Sequence, residues 1–284
     1  MSTKTEWREY EKAVFQECKR IFKTATVKHD VKLDGKYSLK KRQIDVLVSN
    51  GNIDGVTTSI AIDTKHYAIK IDVKCVESFI GMLQDIDVSY GIIISDIGFT
   101  SGAINRVLNG PENIQIDIMS MSEFSKFQGL IGIPYAGDKG AVVQSPFGWV
   151  IDGKRYGIAP AVLYRRGSTF EEACKNFNFM YINFYHHDNE SIVAKENVCD
   201  IHNSGINDSY NNPEISMHME NDVLIREFYN PMYDYYDVTA YKDFKDCTIF
   251  VSLLTKKEFK QTNMQKLRYT INSLIPLNVR QGQE

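Results

Sequence analysis

Residues 42–48 read RQIDVLV and residues 60–65 read IAIDTK. Side chains alternate between the two faces of a strand. In the first run Ile44, Val46 and Val48 therefore share one apolar face, and Asp45 points the other way beside Gln43 and Leu47. In the second, Ile60 and Ile62 face one side while Asp63 and Lys65 stand together on the other. Strand interiors disfavour aspartate. Two strands that each place a carboxylate on a sheet face, the second followed by a lysine at i+2, form a constellation rather than an accident.

Outward from these runs the pattern switches regularly between the strand and helix periods. Helical spacing covers residues 5–22, and strands are expected at 26–33, 42–48 and 56–65, then a helix at 73–85. The buried-strand run YGIIIS follows at 90–95, then a helix capped by Thr100 and ending at Leu108, a strand at 114–119 and a helix at 122–130. The order αβββαβαβα predicts an α/β fold, a mixed sheet flanked by helices with a hairpin at its front and right-handed crossovers behind. Glycines and prolines in IGIPYAGDKGAVVQSP, residues 131–146, interrupt the pattern. The expected division is a first domain at 1–133, a linker at 134–146 and a second, α+β domain at 147–284. That second domain predicts a tight turn at Asp152-Gly153, a helix capped at Ser168, strands at 179–185 and 247–254, and a closing helix at 256–274.

On the first helix Trp7, Tyr10, Val14, Cys18, Ile21 and Phe22 share a stripe at about 100° per residue. Glu11 falls inside it. An inward carboxylate is costly unless a cation, a metal or hydrogen-bond donors meet it, so Glu11 is either one half of a buried ion pair or part of a site. Metal-assisted phosphodiester hydrolysis suits the whole set. Magnesium takes hard oxygen ligands and retains waters. Asp45 and Asp63 would be direct ligands, the Thr64 carbonyl a third oxygen, and Glu11 the holder of a water or a second ion. Lys65 would orient or help deprotonate the attacking water and offset transition-state charge.

These runs, continued by AIDTKHY and by VKCVESFIGMLQDIDVSYGIIISDIGFTSGAINRV, resemble the Mrr-like catalytic domain of the PD-(D/E)XK restriction endonuclease superfamily over about residues 6–108. The resemblance implies a metal site built from an acid on the first helix, an acid in the second strand and an acid-x-Lys motif in the third, carried here by Glu11, Asp45, Asp63 and Lys65. It implies a magnesium-dependent endonuclease acting on DNA, with manganese as a substitute, leaving a 5′-phosphate and working in restriction or antiviral defence. Cutting both strands would favour a homodimer. Many Mrr-like members carry Glu or Gln where this chain has Asp63, and no winged-helix module of the kind that precedes the catalytic domain in some relatives is expected among these residues.

Lys41, Arg42 and Gln43, just before Asp45, are candidate phosphate contacts, and Gln84, on the edge of the helix after the D-x-K strand, is a candidate contact to substrate. His66 should point away from Lys65. His186, His187, Cys199 and His202 offer at most half a zinc site, because Cys199-x-x-His202 has no matching second pair. The chain has 284 residues and a net charge of −3, which excludes a strongly polyanion-binding composition. Its first 42 residues nevertheless carry 12 Lys/Arg against 6 Asp/Glu, ending in KYSLKKR. Five scattered cysteines argue against a disulfide framework. A polar N-terminus and the lack of a long apolar run predict a cytoplasmic protein with no membrane contact. The second domain is expected to sense, recruit or restrain, through an activator or partner protein. Two alternatives stay open: a non-catalytic binding or interaction module on the same fold, and a nuclease for RNA or branched DNA.

Overall fold

The computed structural model describes residues 4–111, 113–125, 131–187 and 194–279. The chain forms two compact units, Met1–Gly129 and Leu130–Glu284. In the first, α1 (Lys4–Ile21) precedes β1 (Thr26–Asp34), β2 (Lys41–Ile53) and β3 (Val56–Thr64). Then come α2 (Val73–Asp85), β4 (Tyr90–Ile94), α3 (Ser101–Leu108), β5 (Gln115–Met119) and the single turn α4 (Met121–Phe124). The sheet order is β1-β2-β3-β4-β5. The first three strands are antiparallel neighbours and the last two join in parallel. This is the expected mixed sheet of a restriction-endonuclease-like fold. The expected helix at 122–130 begins at Met121, and residues 126–130 lie outside the described residues.

Local chemistry explains the crossovers. Asp72 caps α2 by accepting from Cys75 N, and Thr100 caps α3 by accepting from Ala103 N. Val76, Phe79, Ile80 and Leu83 of α2 bury against Leu47, Ala61 and Ile93 of the sheet. Gly91 permits the approach: a Cβ there would lie 2.5 Å from Phe79 and 2.7 Å from Leu83. On the α1 side Val14 and Cys18 are fully buried, as are Val46, Val48, Ile60 and Ile62.

Strict alternation fails around Asp45. Ile44 belongs to the same core cluster as Leu47, not to a face shared only with Val46 and Val48, and Val31 and Leu33 pack against that cluster too. The β1–β2 ladder runs through His29↔Val46 and Val31↔Ile44 without an Asp30–Asp45 pair, and Asp30 sits at φ +49. A left-handed residue inside a strand turns the ribbon, and Asp45 stands at that turning point.

In the second unit the short strands β6 (Ile131–Gly132) and β7 (Tyr135–Ala136) lead to β8 (Lys139–Gln144), β9 (Trp149–Asp152) and β10 (Ala161–Arg165). These are followed by α5 (Phe170–Lys175), β11 (Asn178–His186), α6 (Lys195–Ser209), β12 (Ile215–Glu220), β13 (Val223–Asn230), β14 (Tyr235–Phe244), β15 (Cys247–Thr255), α7 (Lys260–Asn272) and β16 (Ile275–Asn278). Seven strands make one antiparallel sheet, β12-β13-β14-β15-β11-β10-β9, while β8 pairs with β16, β6 and β7. Residues 134–146, expected to be a linker, therefore hold paired strands; the glycine at 137, with φ +61, turns β7 into β8 rather than loosening the chain. The expected tight turn at Asp152-Gly153 is also replaced, since Asp152 pairs with Val162 across a longer loop. There Asp152 accepts from Lys154 N, Tyr156 and Tyr164 instead. The cap of α5 is Thr169, in a capping box with Glu172, one residue after the expected Ser168. Among the described residues no helix is long and apolar enough to cross a membrane, and all five cysteines are free.

Candidate active site

The β2–β3 ladder ends at Val46↔Ile62. One step further, in place of ladder bonds, the Asp45 carboxylate intervenes: its Oδ2 accepts from both the backbone N and the Oγ1 of Thr64, each at 2.8 Å. Thr64 is thus engaged through its amide and hydroxyl. Asp63 lies beside Asp45 and takes Lys65 Nζ on both oxygens, at 2.9 and 2.8 Å. Lys65 N in turn donates to Ile94 O, continuing the parallel contact with β4 and fixing the lysine's origin.

Asp45, Asp63 and Lys65 line one cleft of about 570 Å³, together with Lys41, Arg42 and Gln43 on one side and Trp7 and Tyr67 on another. Its remaining wall is Cys75, Ser78, Phe79 and Met82, an i, i+3, i+4, i+7 stripe of α2. Lys41 is tied to Asp34 at 2.8 Å, Gln43 donates to Asp30 at 2.8 Å, and Arg42 lies 3.3 Å from Asp85. Gln84 is not in this cleft. Two residues on from Met82 means about 200° around the helix, and Gln84 lines a separate depression with Asp87, Ser89 and Asn113.

Charge is under strain in the cleft. Burial pushes the Asp63 carboxyl up, the neighbouring Asp45 charge adds to this, and Lys65 only partly offsets it; the result is about 6 against an ordinary 3.8. Burial pulls Lys65 down, but Asp63, Tyr67 and Asp45 more than reverse it, so the ammonium form is favoured.

Glu11 is buried as expected, at 4% exposure, and its direct partner is His29: Oε1 lies 2.7 Å from Nε2. Burial and the charge of Asp45 raise its pKa, His29 opposes them, and Asp30 raises it further. Glu11 therefore shares the field of the pair without sharing its bonds. His29 and Asp30 escaped the sequence reading; the signal was a His-Asp dipeptide in an otherwise alternating edge strand, opposite Asp45. His66 lies beyond the end of β3 and stacks on Tyr10 with ring centroids 5.1 Å apart.

The half-site for zinc does not assemble. His202 bonds Tyr241, His187 bonds Thr248, Cys199 meets the Met217 sulfur, and His186 lies near Asp138. Among the described residues no three His, Cys, Asp or Glu side chains are grouped to hold a metal. What the cleft does offer is two carboxylates crowded together with one of them pushed toward protonation. Both are hard oxygen donors, and a divalent cation between them would relieve the repulsion. The residues fit a cation held by two side chains and completed by solvent and phosphate oxygens.

Residues 4–127 match the Mrr_cat family model, described as restriction endonuclease. No curated protein matches. Among solved structures the chain is similar to the solution structure of the PsbP protein (CyanoP) of Synechocystis sp. PCC 6803, at 10% identity and a TM-score of 0.34, over 48% of this chain and 85% of that one. A likeness of that size carries no functional argument.

Proposed function

We propose that the restriction endonuclease domain at residues 4–127 is a magnesium-dependent endodeoxyribonuclease, with manganese able to substitute, whose reaction centre is Asp45, Asp63 and Lys65. The observation that carries the reading is the pairing of Asp45 and Asp63 in a cleft rimmed by Lys41 and Arg42, where burial first and the Asp45 charge after it raise Asp63 to about 6.

Asp45 and Asp63 would hold the cation, which supplies Lewis-acid activation of the phosphate and of the attacking water. Asp45, which lines the cleft, is oriented for this by the two Thr64 donors on its Oδ2. Lys65, held as an ammonium, places positive charge where the phosphate gains negative charge and serves as an electrostatic stabiliser rather than a base. Glu11 and His29 set the field behind Asp45. Lys41 and Arg42 hold flanking phosphates and fix the register of the strand being cut. One such centre cuts one strand, so duplex cleavage calls for two copies of this chain. The second unit is then the sensing, recruiting or restraining part, in a role of restriction or antiviral defence.

The test is incubation with plasmid, linear and single-stranded DNA, and with RNA, in Mg²⁺, Mn²⁺, Ca²⁺ or EDTA. Cutting of DNA in Mg²⁺ and Mn²⁺, with binding but no turnover in Ca²⁺, is the expected result. Silence on every substrate in every metal would contradict it and favour a binding module.

A further inference from the structure

The loop between β1 and β2 is stiff, and its tip is costly. Gly35 N donates to Lys40 O at 2.8 Å, Leu39 N to Gly35 O at 3.1 Å, and Lys40 N to Ser38 Oγ at 3.2 Å. Asp85, the last residue of α2, clamps the loop from below. Its Oδ1 accepts from Tyr37 N and Ser38 N at 2.8 and 2.9 Å, its Oδ2 from Ser38 Oγ at 2.6 Å, and its carbonyl from Lys36 N at 2.6 Å. A carboxylate at a helix C-terminus is at the wrong end of the dipole. Asp85 is 5% exposed there, and the loop's donors, with Arg42 beside it, hold its pKa below the usual range. A Cβ on Gly35 would come within 2.4 Å of Ser38 Oγ and 2.5 Å of Asp85 Oδ2, so glycine lets the clamp close.

This rigidity presents Leu39, 87% exposed with φ +53, and Tyr37, 72% exposed. An apolar side chain in open solvent on a left-handed backbone is disfavoured twice in the free protein. Around it stand Lys36, with Nζ 5.4 Å from the Tyr37 ring, then Lys40 and Lys41. Lys41 and Arg42 also line the cleft of Asp45 and Asp63. One preorganised loop thus delivers an apolar tip beside cations that already face the reaction centre.

We propose that residues 36–41 are a wedge for duplex DNA: Leu39 enters a base step next to the cleaved phosphate, Tyr37 covers the base so exposed, and the lysines hold the flanking phosphates. Protruding apolar side chains among cations part stacked base pairs in this way, and the lysines supply the salt-dependent share of affinity. The inference rests on the DNA reading above and names its substrate as a duplex that is locally unstacked and bent.

The test uses the full chain in Ca²⁺ with duplexes carrying 2-aminopurine at successive steps. The wild type is expected to raise fluorescence at one step. Leu39→Gly removes the wedge and relieves the backbone, so it is expected to melt at the wild-type temperature or above, to lose the fluorescence rise, and to bind duplex about tenfold more weakly with an unchanged salt slope. Leu39→Asn, which tolerates the left-handed backbone, should behave alike. Wild-type fluorescence in Leu39→Gly would overturn the wedge and leave a protein partner as the loop's occupant. So would DNA cleavage by the wild type with no unstacking at any step. Absence of nucleic-acid binding in every metal would overturn the DNA reading itself.

Discussion

Each unit buries charge, and the two do so in opposite ways. In the second, Arg226 is 3% exposed on β13 and is answered by Asp237 at 2.6 Å and Thr239 at 2.8 Å, with Ser252 completing the chain of hydroxyls at 2.9 Å. Its guanidinium stays firmly charged, the attraction of Asp237 outweighing burial. In the first, two carboxylates and one ammonium share a cleft, and burial together with the second carboxylate drives Asp63 toward protonation. A buried charge bonded directly to its counter-charge is a structural commitment; two like charges crowded beside solvent-accessible space mark a place that something else completes.

The largest effect expected from this contrast is on catalysis. Asp63→Ala and Lys65→Ala should each lower DNA cleavage by about a thousandfold or more, and Asp63→Ala, which removes a carboxylate whose ionisation opposes folding, should unfold no earlier than wild type, measured by single-turnover cleavage and urea titration. Asp237→Ala should do the reverse. By stranding Arg226 it should destabilise the fold by about 3 kcal/mol, seen as a lower urea midpoint. If Asp237→Ala proved harmless to stability and Asp63→Ala unfolded the protein, the contrast would be inverted.

Next comes pH. The Asp63 pKa is raised in the folded state, so its contribution to stability is intact below the ordinary 3.8 and is lost as pH climbs through about 6. By linkage the loss amounts to about 3 kcal/mol in metal-free protein, and Mn²⁺ should restore it above pH 6. At Mg²⁺ well below saturation, cleavage should show the mirror image, falling about tenfold per pH unit below 6 as Asp63 takes up a proton and releases the cation. A flat rate between pH 5 and 8 under that condition would remove Asp63 from the reaction. Smallest is the effect of Glu11→Gln, which leaves Asp45 and Asp63 in place but removes a charge from their field. A change of roughly tenfold in the rate is expected, and a loss as large as that of Asp63→Ala would move Glu11 into direct contact with the cation.

The first unit was legible because its local signals agree with its tertiary roles. Val73–Asp85 carries both its Asp72 cap and its apolar stripe, and YGIIIS is buried on both faces as its composition says. Asp45, Asp63 and Lys65 were found through the strand period alone. Glu11 was found by helical period, yet its partner His29 was not, because a left-handed residue at Asp30 resets the alternation and no pattern in the chain announces that. In the second unit β12 to β14 were missed: Asn221, at φ +55, makes a two-residue hairpin between Glu220 and Val223, and the flanking ISMHME does alternate, but Ile215 is its sole β-branched or aromatic residue, so its composition does not mark a strand. Helix α6 buries only Val198 and Cys199, too little to leave a stripe.

The most direct measurement is calorimetric titration of Mn²⁺ into the wild type, Asp45→Asn and Asp63→Asn at pH 7.5. One site per chain, lost in both variants, is the expected result; unchanged binding in either variant would mean that the carboxylates of β2 and β3 do not hold the cation together.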